Sequence, residues 1–198
     1  MKRIAAILIS LLAASQAFAD GTADALLTRM SAKLKAMGEY EVTFRVTAGT
    51  FSTEGRYTVS GREYQLTLGD AEVFCDGTTR YEVNNALEEI TVDNVNLSER
   101  NILNNPVGGL DFIGEEFSSA LISQDAATMV IRLTPTDKSN ASTTDVTVDN
   151  GSQLPVRLVY RIAGDAITVE LSSVQPSSTA LRRFDAKAYP DYEIIDFR

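Results

Sequence analysis

Carboxylates are the most abundant reactive side chains in this 198-residue sequence, with 27 Asp and Glu against 18 Lys and Arg, no His and one Cys. Two carboxylates can share general acid–base work when one is held protonated by burial beside one left ionised. No pair here is set apart by spacing, so solvated surface charge is the simpler reading. The lack of histidine excludes His-based triads, imidazole metal ligands and imidazole pH switches. One cysteine excludes disulfide frameworks and cysteine-rich zinc or iron–sulfur sites. Cys75 closes Val73-Phe74-Cys75, just before Asp76-Gly77. With no histidine to activate it, it reads as a small half-buried hydrophobe. Asp145 to Gly151 (Asp-Val-Thr-Val-Asp-Asn-Gly) faintly suggests a calcium loop. It lacks the acidic spacing and terminal Glu of one, and reads as a strand ending in a turn. Nucleophile-elbow, P-loop and dinucleotide-binding fingerprints are absent. Asn96-Leu97-Ser98 and Asn140-Ala141-Ser142 are glycosylation sequons that matter only on a eukaryotic export route.

Net charge is −9 and the pI about 4.6, which argues against a nucleic-acid partner. The hydrophobic share of 44% is that of a folded globular chain. The first residues read as a targeting segment. Lys2 and Arg3 precede an apolar run from Ile4 to Ala14, and Ala17-Phe18-Ala19 fits a cleavage site before Asp20. The run is short for a membrane span, which needs about 20 apolar residues. A cleaved signal peptide over 1–19 is therefore expected, with 20–198 as one exported domain; a membrane anchor is the alternative.

The elements behind these residues change period along the chain. Leu26, Leu27, Met30, Leu34 and Met37 share one face of a helix predicted over Thr22–Met37, stopped by Gly38. Alternation of period 2 follows: Val42, Phe44 and Val46; Tyr57 and Val59; Tyr64, Leu66 and Leu68. Strands are also predicted at Glu72–Cys75, Thr79–Val83, Glu88–Val92, Thr128–Leu133, Thr144–Val148, Pro155–Ile162 and Ala166–Leu171. Glu193 to Asp196 reads as a final strand. Between them, Asn105-Pro106 is a helix-start signal, and Leu110, Ile113, Phe117 and Leu121 recur at helical spacing. This order fits an α+β fold: one strongly curved antiparallel sheet with helices on its concave face. A two-sheet sandwich plugged by the central helix is the alternative. Phe44, Tyr57, Tyr64, Phe74, Tyr81, Phe112 and Phe117 supply many large side chains. They fit a solid core, or the walls of a cavity for an apolar ligand; alternation does not separate the two.

The chain resembles the periplasmic outer-membrane lipoprotein carrier family (LolA-like). The resemblance runs through Tyr40-Glu41-Val42-Thr43-Phe44 and Gly55-Arg56-Tyr57-Thr58-Val59. It is clearest at Val73-Phe74-Cys75-Asp76-Gly77-Thr78-Thr79-Arg80-Tyr81, followed by Glu89-Ile90-Thr91-Val92. Phe184, Tyr189-Pro190 and Glu193-Ile194-Ile195-Asp196 resemble the family's carboxyl end. Two positions depart: Tyr81 stands where Trp is common, and Arg62 has no following proline. Arg62 is thus either a lid latch or an exposed turn residue.

The resemblance implies an incomplete β-barrel with an N-terminal helix and a helical lid, with Gly108-Gly109 as a candidate hinge. It implies a periplasmic chaperone that binds lipoprotein acyl chains and passes them from an inner-membrane donor complex to an outer-membrane acceptor. The expected cavity residues are Phe44, Val46, Tyr57, Val59, Leu66, Phe112 and Phe117. No catalysis, cofactor or metal is expected, and the chain is expected to be monomeric. An envelope sensor module of the same fold, and a carboxylate hydrolase, are the other classes left open.

Overall fold

A computed structural model describes the backbone of residues 10–96, 101–108 and 116–198, and side chains from residue 22 onward. Helix α1 spans Ser10–Met37, so it starts earlier than Thr22 and runs through Ala17-Phe18-Ala19. Gly38 ends it in the left-handed region at φ 71°, and its N–H donates to the Lys35 carbonyl. This is the usual glycine stop, because no side chain opposes that φ. Ala23, Leu26, Leu27, Met30, Ser31 and Leu34 form a buried stripe along α1.

Two meanders follow. The first runs β1 (Glu39–Ala48), β2 (Phe51–Ser60), β3 (Glu63–Leu68), β4 (Ala71–Cys75), β5 (Thr79–Asn84) and β6 (Glu89–Asn94). The second runs β7 (Phe117–Gln124), β8 (Thr128–Pro135), β9 (Thr143–Asp149), β10 (Pro155–Ile162) and β11 (Asp165–Pro176). A short strand, β12 (Glu193–Asp196), ends the chain. All twelve join one open sheet in the order β12-β6-β5-β4-β3-β2-β1-β11-β10-β9-β8-β7. The expected curved sheet is therefore present, with one departure from the all-antiparallel reading: β12 pairs parallel to β6.

The sheet curls, and one segment proves it. Tyr64 on β3 donates to the Asn104 carbonyl at 3.1 Å, while the Ile102 N–H donates to the Tyr160 hydroxyl on β10 at 3.3 Å. β3 and β10 are four places apart, which would be about 19 Å in a flat sheet. Residues 102 and 104 are at most about 7 Å apart. With side chains standing upright on the strands, a flat sheet would hold the two hydroxyls farther apart than the strap and its two hydrogen bonds span, so the face between β3 and β10 is concave. Shifts of register at Thr43/Phe44 and Pro155/Arg157 are bulges, which add bend and twist.

Alternation decides what fills the concavity. Val42, Phe44 and Val46 of β1, Tyr57 and Val59 of β2, Ile131 and Leu133 of β8, and Leu158 and Tyr160 of β10 join one cluster with the α1 stripe. The helix is tied at its sides as well: Ser119 of β7 donates to Asp24, and Lys33 donates to the Ser152 carbonyl at 2.5 Å.

The predicted central helix is corrected in part. Phe117 and Leu121 lie in strand β7, where Phe117, Ser119 and Leu121 share a face at period 2. Residues 101–108 form turns rather than a helix. The Asn105 side chain accepts from the Gly108 N–H at 3.2 Å, closing one of these turns. Phe112, Gly109, Leu110 and Ile113 lie outside the described residues.

The convex face has its own apolar cover. Phe74, Val83, Ile90 and Val92 are buried there beneath Phe184, Tyr189 and Tyr192 of the carboxyl-terminal segment. Phe184 stacks on Tyr81 at 4.3 Å and on Tyr189 at 5.9 Å between ring centroids. Phe74 and Tyr81 thus belong to the outer layer and not to the concave side. This explains the unbroken buried run Val73-Phe74-Cys75: the core covers two of these residues, and the carboxyl-terminal segment covers the third.

Candidate apolar binding site

An open groove of about 520 Å³ lies where the end of α1 meets β1 and β2. Leu34, Tyr40, Val59 and Val107 give it apolar walls, and Ser31, Lys35, Glu39 and Ser60 border it with polar groups. Each wall residue arrives by local rule. Leu34 closes the helical stripe, Gly38 turns the chain, and Tyr40 extends the Val42–Phe44 alternation inward. Val59 pairs with Tyr40 on one side and Tyr64 on the other. Val107 comes from the 101–108 strap, so one wall of the groove is the segment pinned by Tyr64 and Tyr160. The volume falls in the range of small-molecule sites, about 300–1,000 Å³.

The strap is built from short-range polar bonds. The Asn101 side chain accepts from the Leu103 N–H at 2.9 Å, and the Asn105 N–H donates to the Asn101 carbonyl at 2.8 Å. Ile102, at its centre, is fully buried in the concave core.

The seven expected site residues divide. Phe44, Val46, Tyr57, Val59 and Leu66 are all buried in the concave cluster, and Phe117 is half-buried against it. Of these only Val59 lines the groove; Phe112 lies outside the described residues. Most of the expected wall is thus occupied by α1 and the strap, a packed core with a groove at one end. Sequence reasoning missed Leu34, Tyr40 and Val107 as wall residues. Tyr40 was within reach, since it continues the β1 alternation two residues before Val42. Val107 carries no such periodic signal.

Titration behaviour follows burial. Burial raises the Tyr57 and Tyr160 hydroxyls well above the ordinary tyrosine range and lifts Tyr64 to about 12. All three stay neutral at physiological pH, and Tyr64 and Tyr160 serve as hydrogen-bonding groups. The Cys75 thiol is likewise raised by burial and accepts from the Gly77 N–H at 3.3 Å, the setting of an inert thiol. Asp145 is bonded by Arg132 at 2.7 and 2.9 Å and by Arg161 at 2.6 Å, so its oxygens are taken by guanidinium groups. Arg62 is exposed in the β2–β3 turn. Among the described residues, no helix is long and apolar enough to cross a membrane.

No protein-family model matches the sequence, and no curated protein matches it. Among solved structures, the chain is similar to an uncharacterised conserved protein from Thermus thermophilus, with a TM-score of 0.55 at 9% identity. That match covers 88% of this chain and 99% of the other, and shows a shared fold. A looser likeness extends to a putative outer membrane lipoprotein-sorting protein domain from Vibrio parahaemolyticus (TM-score 0.46, 11% identity, 81% of this chain and 94% of that one). A LolA superfamily protein from Nitrosomonas europaea is also similar (TM-score 0.39, 13% identity, 84% and 96%).

Proposed function

We propose that this protein is an exported carrier that shields the acyl chains of lipoproteins and delivers them across the periplasm to the outer membrane. The observation that carries this reading is the groove between α1, β1, β2 and the strap, apolar on its walls and polar at its border. Burying acyl chain is worth about 0.8 kcal/mol per methylene, so a multiply acylated anchor does not cross water unaided at a useful rate. A shallow apolar groove supplies that burial without directional chemistry, and cargo proteins would be distinguished little. The groove as it stands is filled on its inner side by the strap. Loading a full anchor therefore requires the strap to give way, and the two tyrosine hydrogen bonds are the ties that must break. An inner-membrane donor and an outer-membrane acceptor belong to this reading through the sequence resemblance.

The test incubates purified protein with a triacylated lipoprotein and with its non-acylated form, then measures complex formation and delivery to acceptor vesicles. Acyl-dependent binding followed by delivery is the expected result. Equal binding of both forms would reject the carrier reading. Acyl-dependent binding without delivery would favour a lipid sensor.

A further inference from the structure

The concave face carries a polar feature that apolar burial alone leaves unexplained. Tyr57 is fully buried, and its hydroxyl has no hydrogen-bond partner among the described residues. An unpaired buried hydroxyl is costly, and native interiors pair nearly all such groups. Its surroundings are rings: Tyr40 edge-on at 6.4 Å and Phe44 tilted at 5.8 Å.

Two more buried tyrosines share this face, and both are engaged by the strap. Tyr64 donates to the Asn104 carbonyl, and Tyr160 accepts the Ile102 N–H. As an acceptor there, Tyr160 does not spend its own O–H proton in that bond. Tyr64 is the ladder partner of Val59, and Tyr57 lies two residues before Val59 on the same face. Both are therefore neighbours of a wall residue on the concave face, without lining the groove themselves. A ligand that displaces the strap takes away the Asn104 acceptor of Tyr64 and the strap N–H on Tyr160, on a face where the Tyr57 hydroxyl is already unpaired. A bare hydrocarbon would offer no acceptor in exchange. A carbonyl oxygen would offer one.

We propose that Tyr57, Tyr64 and Tyr160 read the ester or amide carbonyls of a bound acyl lipid, with a ligand carbonyl taking the place of the Asn104 carbonyl of the strap. This rests on the acyl-binding reading of the same site and adds a selectivity to it. The site prefers fatty acyl esters and amides over alkyl chains of equal length.

The experiment compares 1,2-dipalmitoylglycerol with its diether analogue, 1,2-di-O-hexadecylglycerol, which lacks the carbonyls. Binding of each is measured by calorimetry on wild type and on Tyr57→Phe, Tyr64→Phe and Tyr160→Phe. Wild type should bind the ester about tenfold or more tightly than the ether. Tyr57→Phe should lower that preference several-fold, leave ether affinity unchanged, and raise the melting temperature of the empty protein by removing the orphan hydroxyl. Equal ester and ether affinity in wild type, unchanged in the three variants, would overturn the carbonyl reading while leaving acyl burial intact. Binding of neither lipid would overturn the acyl reading and this one with it.

Discussion

Phe44 lies directly across from Gly55 in the β1–β2 ladder, and its ring lies over the glycine. A Cβ added at Gly55 would sit 2.5 Å from the Phe44 ring, so the glycine is required by close approach rather than by φ. Gly55→Ala should destabilise by about 1–3 kcal/mol through overpacking. Urea unfolding measures it, and Phe44→Leu in the same chain should recover part of the loss, which a simple propensity effect would not allow. Asp145 gives a second prediction at this scale. Burial raises its pKa, but the bonds from Arg132 and Arg161 outweigh that and hold it below the ordinary Asp range. A lowered folded pKa contributes stability that is present above the unfolded value, about 3.9, and is lost as pH falls through the folded one. Asp145→Asn should therefore be less stable than wild type at pH 7, with a difference that narrows below about pH 4 in thermal melts. The residue chemistry here was partly legible: Cys75 as a buried hydrophobe follows from its sequence neighbours. The pairing of Asp145 with two arginines from neighbouring strands does not, because alternation gives a residue's face and not its partner.

Among the elements, the carboxyl-terminal segment is the one whose task the sequence hides. Its strand, Glu193–Asp196, can be anticipated from Glu-Ile-Ile-Asp. Its cover of the convex face cannot, since Phe184, Tyr189 and Tyr192 have no common period with one another. The segment is held by rings and by charge: Arg183 bonds Glu63 at 2.7 Å, and the Tyr192 hydroxyl bonds Asn85 at 2.9 Å. Phe184→Ala removes contacts to Phe74, Tyr81 and Tyr189 together. Amide hydrogen exchange should then speed up in β6 and β12 while β1 and β11 keep their protection. Uniform acceleration through the whole sheet would show instead that the segment is not a separable layer. The Phe117–Leu121 end of the predicted central helix is a strand for a related reason. Phe117 and Leu121 are four apart, a spacing that satisfies a helix and a strand alike. The residues between them, Ser118-Ser119-Ala120, do not alternate and so do not decide between the two.

For the whole molecule, the export reading makes the plainest prediction. Sequencing the protein recovered from the envelope should give Asp20 as its first residue; an intact Met1 in a soluble pool would count against export. The sheet was legible because β1, β3, β6 and β8 alternate cleanly and are bounded by turn residues. The fill of its concave side was not, because an apolar face looks the same whether it meets a helix, a strap or a ligand. The strand order also constrains how the chain reaches its native state. In the sheet, the two meanders pair with each other through β1 and β11, where Tyr40 stands opposite Pro176. Until residue 176 has emerged, the centre of the sheet does not exist, and each half carries a bare edge open to wrong pairing. Such long-range closure is slow. On the proposed export route that slowness would be useful: the chain would stay unfolded while it is drawn through a translocation pore, and its midline would zip shut on the far side.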